Sequence, residues 1–154
     1  KPVTQPIAAA GSIIHPLQLT QSKTLDFGKV SLKVATNAAT IRIPAAAPST
    51  PVLANAVIAS PSTATPAIFT LTGEPRRAYT LTAPSSVLTA PGNHLVTSLT
   101  FWTQSGGSGS GTSVTGTLRA TGTDTLRIGA TLTLPKGVAH ATYTATVPIT
   151  VAYQ

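Results

Sequence analysis

The sequence contains no cysteine and no methionine, and its only acidic residues are Asp26, Glu74 and Asp124. Without cysteine no disulfide can brace the chain, so core burial and a well-paired sheet must supply the stability of a small domain. The three carboxylates sit on distant motifs, which leaves no candidate pair for general acid and base chemistry. No serine lies in a nucleophile-elbow sequence. His15, His94 and His140 share no ligand-like spacing and have no cysteine beside them, so neither a metal nor another cofactor is expected. Together these absences argue against an enzyme. Charged residues make up 8% of the chain and apolar residues 42%, the reverse of a disordered tail. No apolar run approaches the roughly 18 residues of a membrane-crossing helix, so no membrane span is expected. The first residue is Lys1, which reads as the start of a mature product after removal of an export signal.

What is present is the material of one all-β domain. The length of 154 residues suits a single core. Thr and Val alternate along the chain, and Gly, Pro, Asn and Ser cluster between the alternating stretches. Strands are expected over residues 25–34, 39–43, 52–58, 67–73, 78–82, 94–102, 114–120, 125–134 and 141–153, which predicts a sandwich or barrel. Five prolines between Pro44 and Pro66 restrict any strand there to a short edge. The Ser/Gly-rich run over residues 105–112 reads as a hairpin tip, because phosphate cradling requires a following helix. Of Phe101 and Trp102, alternation sends one inward; a sugar-stacking platform at Trp102 is the alternative to simple core packing.

Ten Lys and Arg give a formal net charge of +7 and a pI near 10.4. They are scattered singly except for Arg76-Arg77, and aromatics are few, so a solvated surface is expected and a specific nucleic-acid partner is not. The Arg76-Arg77 turn is a candidate contact for anionic surfaces or glycans beside its plainer reading as a solvated turn.

The two ends of the sequence complement each other. Ala141, Tyr143, Ala145, Val147, Ile149, Val151 and Tyr153 share one face of the closing strand, with Thr on the other, a period of two. Near the beginning, Ile7, Ala9, Gly11, Ile13, His15, Leu17 and Leu19 alternate with a more polar side. Spacing alone leaves open whether this first segment folds back on its own domain or leaves it.

Four motifs taken in order carry a family likeness: Leu25-Asp26-Phe27-Gly28-Lys29-Val30; Pro66-Ala67-Ile68-Phe69-Thr70-Leu71-Thr72-Gly73 with Tyr79-Thr80-Leu81; Thr123-Asp124-Thr125-Leu126-Arg127-Ile128-Gly129-Ala130-Thr131-Leu132; and the closing run from Ala141 to Tyr153. Together they resemble an uncharacterised family of secreted bacterial domains, related to spore coat U proteins and archaic chaperone-usher pilins. The resemblance implies an immunoglobulin-like, pilin-type β-sandwich that is incomplete and is completed by a donor strand from a neighbouring subunit. It implies a donor segment over residues 1–20 and a sandwich over residues 21–154. Ile7, Ala9, Gly11, Ile13, His15, Leu17 and Leu19 would form the donor strand. Leu25, Phe27, Tyr143, Val147, Ile149, Val151 and Tyr153 would line the acceptor groove. Pro16 and Pro148 each remove a ladder donor and are expected to interrupt that pairing. The implied function is a structural subunit of an extracellular pilus or fibre for adhesion or biofilm, secreted through the periplasm. Its implied partners are identical subunits, a periplasmic chaperone and an outer-membrane usher. The alternative is a self-complemented secreted sandwich acting as a coat protein or carbohydrate-binding adhesin.

Overall fold

The computed structural model describes residues 2–6, 9, 11, 13–90, 94–110, 112–137 and 141–154. Among these residues there is no helix, and all strand pairing is antiparallel. The first strands are β1 (Gln18–Lys23), β2 (Asp26–Leu32), β3 (Ala39–Ile43), β4 (Val52–Ala54) and β5 (Ala56–Ile58). They are followed by β6 (Ala67–Thr72), β7 (Ala78–Thr82), β8 (Val87–Ala90), β9 (His94–Thr103) and β10 (Gly107–Ser110). The last are β11 (Ser113–Thr117), β12 (Thr123–Leu134), β13 (Ala141–Ala145) and β14 (Thr150–Tyr153). The large sheet runs β1-β6-β12-β9-β8-β13-β2-β5, with β10 on β9 and with β3 on β12 carrying β4 outward. A three-stranded sheet, β11-β7-β14, completes the β-sandwich.

The long central strand β12 shows why the sequence folds this way. Asp124, Leu126, Ile128, Ala130, Leu132 and Leu134 are buried, and the residues between them point to the other face, as the two-residue period of a strand requires. β12 pairs with β9 on one side, and on the other with β6 and then β3 end to end. Ile41, Ile43, Phe69, Leu71, Leu99 and Phe101 from those strands meet Tyr79 and Leu81 of the small sheet in one core. Phe101 is the inward member of its pair; Trp102 lies on the outer face, across from Arg127.

Three local features depart from the expected strands, each for a physical reason. The stretch 52–58 divides at Asn55, whose φ is 53°, so β4 joins β3 while β5 joins β2. Asn55 holds this division: its Nδ2 donates to the carbonyls of Val34, Asn37 and Ala38, and its Oδ1 accepts the Val34 N–H. The Ser/Gly-rich run does not stay a loop, because Gly107–Ser110 returns as β10 along β9. The closing segment is two strands rather than one. β13 pairs with β2 and β8 of the large sheet, whereas β14 pairs with β7 of the small one. Pro148 lies in the crossing between them, where it has no ladder position to fill.

A buried polar cluster joins the two sheets. Tyr79 and Asp124 are fully buried, and the Tyr79 hydroxyl donates to Asp124 Oδ2 at 2.6 Å. Ser105 also donates its hydroxyl to Oδ2 and accepts the Thr117 N–H at 3.0 Å. Burial, and then the bond to the Asp124 carboxylate, hold the Tyr79 phenol well above its ordinary range. Gly116 is needed here because a Cβ would stand 2.4 Å from the Tyr79 hydroxyl oxygen.

Candidate functional site

β1 has one strand partner, β6, and β14 has one, β7, among the described residues. Their other edges border an open seam between the two sheets. One wall is formed by Leu17 and Leu19, the other by Ile149, Thr150 and Val151, and the floor by the fully buried Leu71 of β6. This part of the seam has a volume of about 260 Å³. A smaller hollow of about 100 Å³ lies between Gln21, Thr24 and Leu25 on one side and Thr146 and Val147 on the other, above Ala67 and Phe69. Both openings therefore run along β6. Leu17, Leu19, Val147, Ile149, Val151 and Tyr153 pack against the core while remaining only partly buried. Half-buried apolar walls between two strand edges leave apolar area and backbone groups that a further extended peptide can cover.

At one end the seam is closed by a hydrogen-bonded latch. Glu74 Oε2 accepts the His15 backbone N–H at 2.9 Å and lies 2.8 Å from His15 Nδ1. The Tyr153 hydroxyl accepts the Glu74 N–H at 2.6 Å and donates to the His15 carbonyl. The Arg77 guanidinium covers the Tyr153 ring at 5.2 Å from its centroid, a cation–π distance. Gly73 makes the approach possible, since a Cβ there would stand 2.5 Å from the Tyr153 hydroxyl and 3.0 Å from Leu17. The His15 N–H, and after it the His15 ring, hold the Glu74 carboxyl below its ordinary value. The backbone of residue 15 is thus fixed through both its N–H and its carbonyl. Before it, the described residues of the first segment are exposed, and Ile13 is 100% exposed.

The seven residues assigned to a donor strand divide at this latch. Ile7 lies outside the described residues. Ala9 is exposed, Gly11 has no neighbour within 4 Å of a built Cβ, and Ile13 is free of burial. His15 is tied to Glu74, and Leu17 and Leu19 pack against the core of their own chain. The boundary drawn after residue 20 falls within β1, so the sandwich takes in residues from Gln18 onward.

The residues assigned to the groove divide as well. Leu25 and Phe27 are core residues at 1% and 0% exposure, although Leu25 borders the smaller hollow. Tyr143 belongs to β13 and pairs directly with Gly28 of β2. The strand bearing Phe27 and the first half of the closing segment are therefore joined, and the opening lies instead between β1 and residues 146–151. Val147, Ile149 and Val151 line it, and Tyr153 forms the latch. Glu74 and Arg77 had no local signal for these roles; they become neighbours of residues 15 and 153 only through the fold.

Among the described residues no group of three or more His, Asp or Glu is placed to hold a metal ion. Asp26 accepts the Gly28 N–H at 2.7 Å, Glu74 is engaged by His15, and Asp124 is buried under Tyr79 and Ser105. Among the described residues no helix is long and apolar enough to cross a membrane.

Residues 17–153 match the family described as a domain of unknown function, DUF4402, and the chain belongs to that family. No curated protein and no solved structure matches the chain.

Proposed function

We propose that this protein is a structural subunit of an extracellular bacterial fibre, in which the first segment of one copy fills the seam of the next. On this reading the sandwich is immunoglobulin-like and lacks one strand, which the neighbour supplies. The open seam between β1 and β14 carries the proposal, because its apolar walls and facing strand edges suit an extended peptide. The donor is the stretch before the latch, residues 2–14, whose described residues include the exposed aliphatics Val3, Ile13 and Ile14; Ile13 and Ile14 are adjacent and face opposite ways in an extended chain, so one of the two enters the seam. Extended, the donor reaches about 40 Å, and the wall from Leu17 to Leu25 spans about 26 Å, from a rise of roughly 3.3 Å per residue. Each aliphatic side chain seated would contribute about 1.5–3 kcal/mol, with the backbone ladder added to that. Assembly of this kind places the protein outside the cell by way of the periplasm, with a chaperone covering the seam until an outer-membrane usher delivers the next subunit. Adhesion or biofilm formation is the role such a fibre serves.

The pairing of β1 with β6 inside one chain favours a second reading, a self-contained secreted sandwich serving as a coat protein or a carbohydrate-binding adhesin. One experiment separates the two. The full chain should form detergent-resistant oligomers, and a variant lacking residues 1–14 should be a folded monomer that binds a peptide of residues 2–14. A monomeric full chain, or a truncated one that ignores the peptide, would leave the self-contained sandwich.

A further inference from the structure

The two turns beside the latch are joined by backbone hydrogen bonds. Gly73 N–H donates to the Gly122 carbonyl at 2.8 Å, Arg76 N–H to Arg119 at 3.3 Å, and Leu118 N–H to Arg77 at 2.9 Å. Arg119, remote in sequence, therefore stands beside Arg76 and Arg77, and all three are exposed.

Three observations set this cluster apart from a solvated turn. The first is charge: Glu74 is the carboxylate in these turns, and His15 already occupies its Oε2. Neither Asp26 nor the buried Asp124 is spent on these guanidiniums. The three arginines thus outnumber the single carboxylate beside them, Glu74, whose charge Arg77 partly offsets, and the excess positive charge attracts anions from solution. The second is backbone geometry, because Arg76 has a φ of 62°, a conformation that costs an L-residue roughly 1–2 kcal/mol and that glycine adopts freely. The third is order: Arg77 rests on the Tyr153 ring, and Arg119 gives its Nε to the Thr123 carbonyl and its Nη2 to Thr123 Oγ1. Both forks are held while their remaining N–H groups stay available.

Beside the cluster is a hollow of about 320 Å³, with Pro16 and Pro75 giving it apolar surface and Gln18, Thr72, Thr121 and Thr123 giving it polar groups. We propose that this end of the molecule binds an acidic polysaccharide, its carboxylates on Arg76, Arg77 and Arg119 and its sugar rings in the adjoining hollow, where Gln18, Thr72, Thr121 and Thr123 can meet their hydroxyls. Guanidinium forks match carboxylates in a bidentate manner, and hydroxyl and amide side chains match sugar hydroxyls. Nucleic acid fits less well, because single strands seek an open aromatic face and the Tyr153 ring is covered by Arg77. The site needs no strand exchange and stands or falls apart from it.

Polygalacturonate binding to the full chain at about 0.1 M salt tests the assignment, with neutral dextran and duplex DNA of equal charge as the other arms. The double variant R76Q/R77Q should bind polygalacturonate at least about ten-fold more weakly, a loss of ~1.4 kcal/mol. The control K29Q/K33Q removes the same charge from β2 and the residues after it, and should lose less than about two-fold. R76G should raise the melting temperature by relaxing the backbone and still weaken binding, a combination that a purely structural arginine does not give. The proposal is overturned if both double variants lose affinity equally, if the wild-type chain does not bind polygalacturonate, or if it binds the DNA as tightly.

Discussion

Glu74 and Tyr153, separated by 79 positions, meet where the Tyr153 hydroxyl accepts the Glu74 N–H at 2.6 Å. The same hydroxyl donates to the His15 carbonyl, so one phenol fixes both the turn after β6 and the point at which the first segment leaves the sandwich. Replacing Tyr153 by Phe keeps the ring under Arg77 and removes both bonds. A loss of about 1–2 kcal/mol is expected, with faster amide exchange at Glu74 as the local signature; unchanged exchange would show that the hydroxyl does not hold the turn.

The latch should respond to acid. Folding lowers the Glu74 pKa below its ordinary 4.5 through the His15 N–H and ring, so its contribution is complete above that value and is lost as pH falls through the lower folded one. The NMR shift of the His15 amide proton should titrate with a midpoint below 4.5 and stay flat in E74Q. A midpoint at or above the ordinary value would contradict the geometry.

Alkaline conditions probe the buried cluster. The Tyr79 phenol is raised by burial and by Asp124, so the folded state keeps its proton after the unfolded chain has released its own. Stability from this group is present below the ordinary tyrosine value of about 10 and declines as pH rises above it. Y79F should cost about 1.5–3 kcal/mol at neutral pH, because Asp124 loses a charge-assisted bond. Between roughly pH 10 and 12 the gap between wild type and Y79F should narrow, as read from urea midpoints.

Asn55 links the end of β2 to the start of β3 with four side-chain hydrogen bonds. N55G keeps the left-handed backbone free of strain and removes all four, so its cost isolates the side chain. About 2–4 kcal/mol is expected from several partly exposed bonds lost together. A loss within ~0.5 kcal/mol, the range of ordinary surface substitutions, would show that the backbone alone makes the turn.

The seam itself is open to substitution from either wall. L19R and V151R place a charge on half-buried positions at strand edges, where a long side chain can reach solvent. Each should leave the sandwich folded by circular dichroism and abolish oligomers formed through the seam. Retention of oligomers in both would locate subunit contacts elsewhere.

Strand content and most of the core were legible because the two-residue period is a local property. In the second half of the closing segment the described side chains follow the alternation: Val147, Ile149, Val151 and Tyr153 are half-buried, and Thr146, Pro148, Thr150 and Ala152 are exposed. Which strand each half bonds to was not legible, since sheet membership depends on where β2 and β7 lie, and those positions are set far away in sequence. The same limit hid the latch. His15 shows nothing locally that marks Glu74 as its partner, and Arg119 sits in a turn of its own until the backbone joins it to Arg76 and Arg77. Asp124 is one of three scattered carboxylates in the sequence, and only the fold brings the Tyr79 and Ser105 hydroxyls onto it where it is buried.

The lengthwise pairing of β1 with β6, from Gln18 opposite Thr72 to Lys23 opposite Ile68, decides how the molecule would bear tension. A pull on the segment ahead of His15 that is directed along β1 loads its rungs side by side, in shear. Rungs strained together must fail together, whereas a strand peeled from its end gives way one rung at a time.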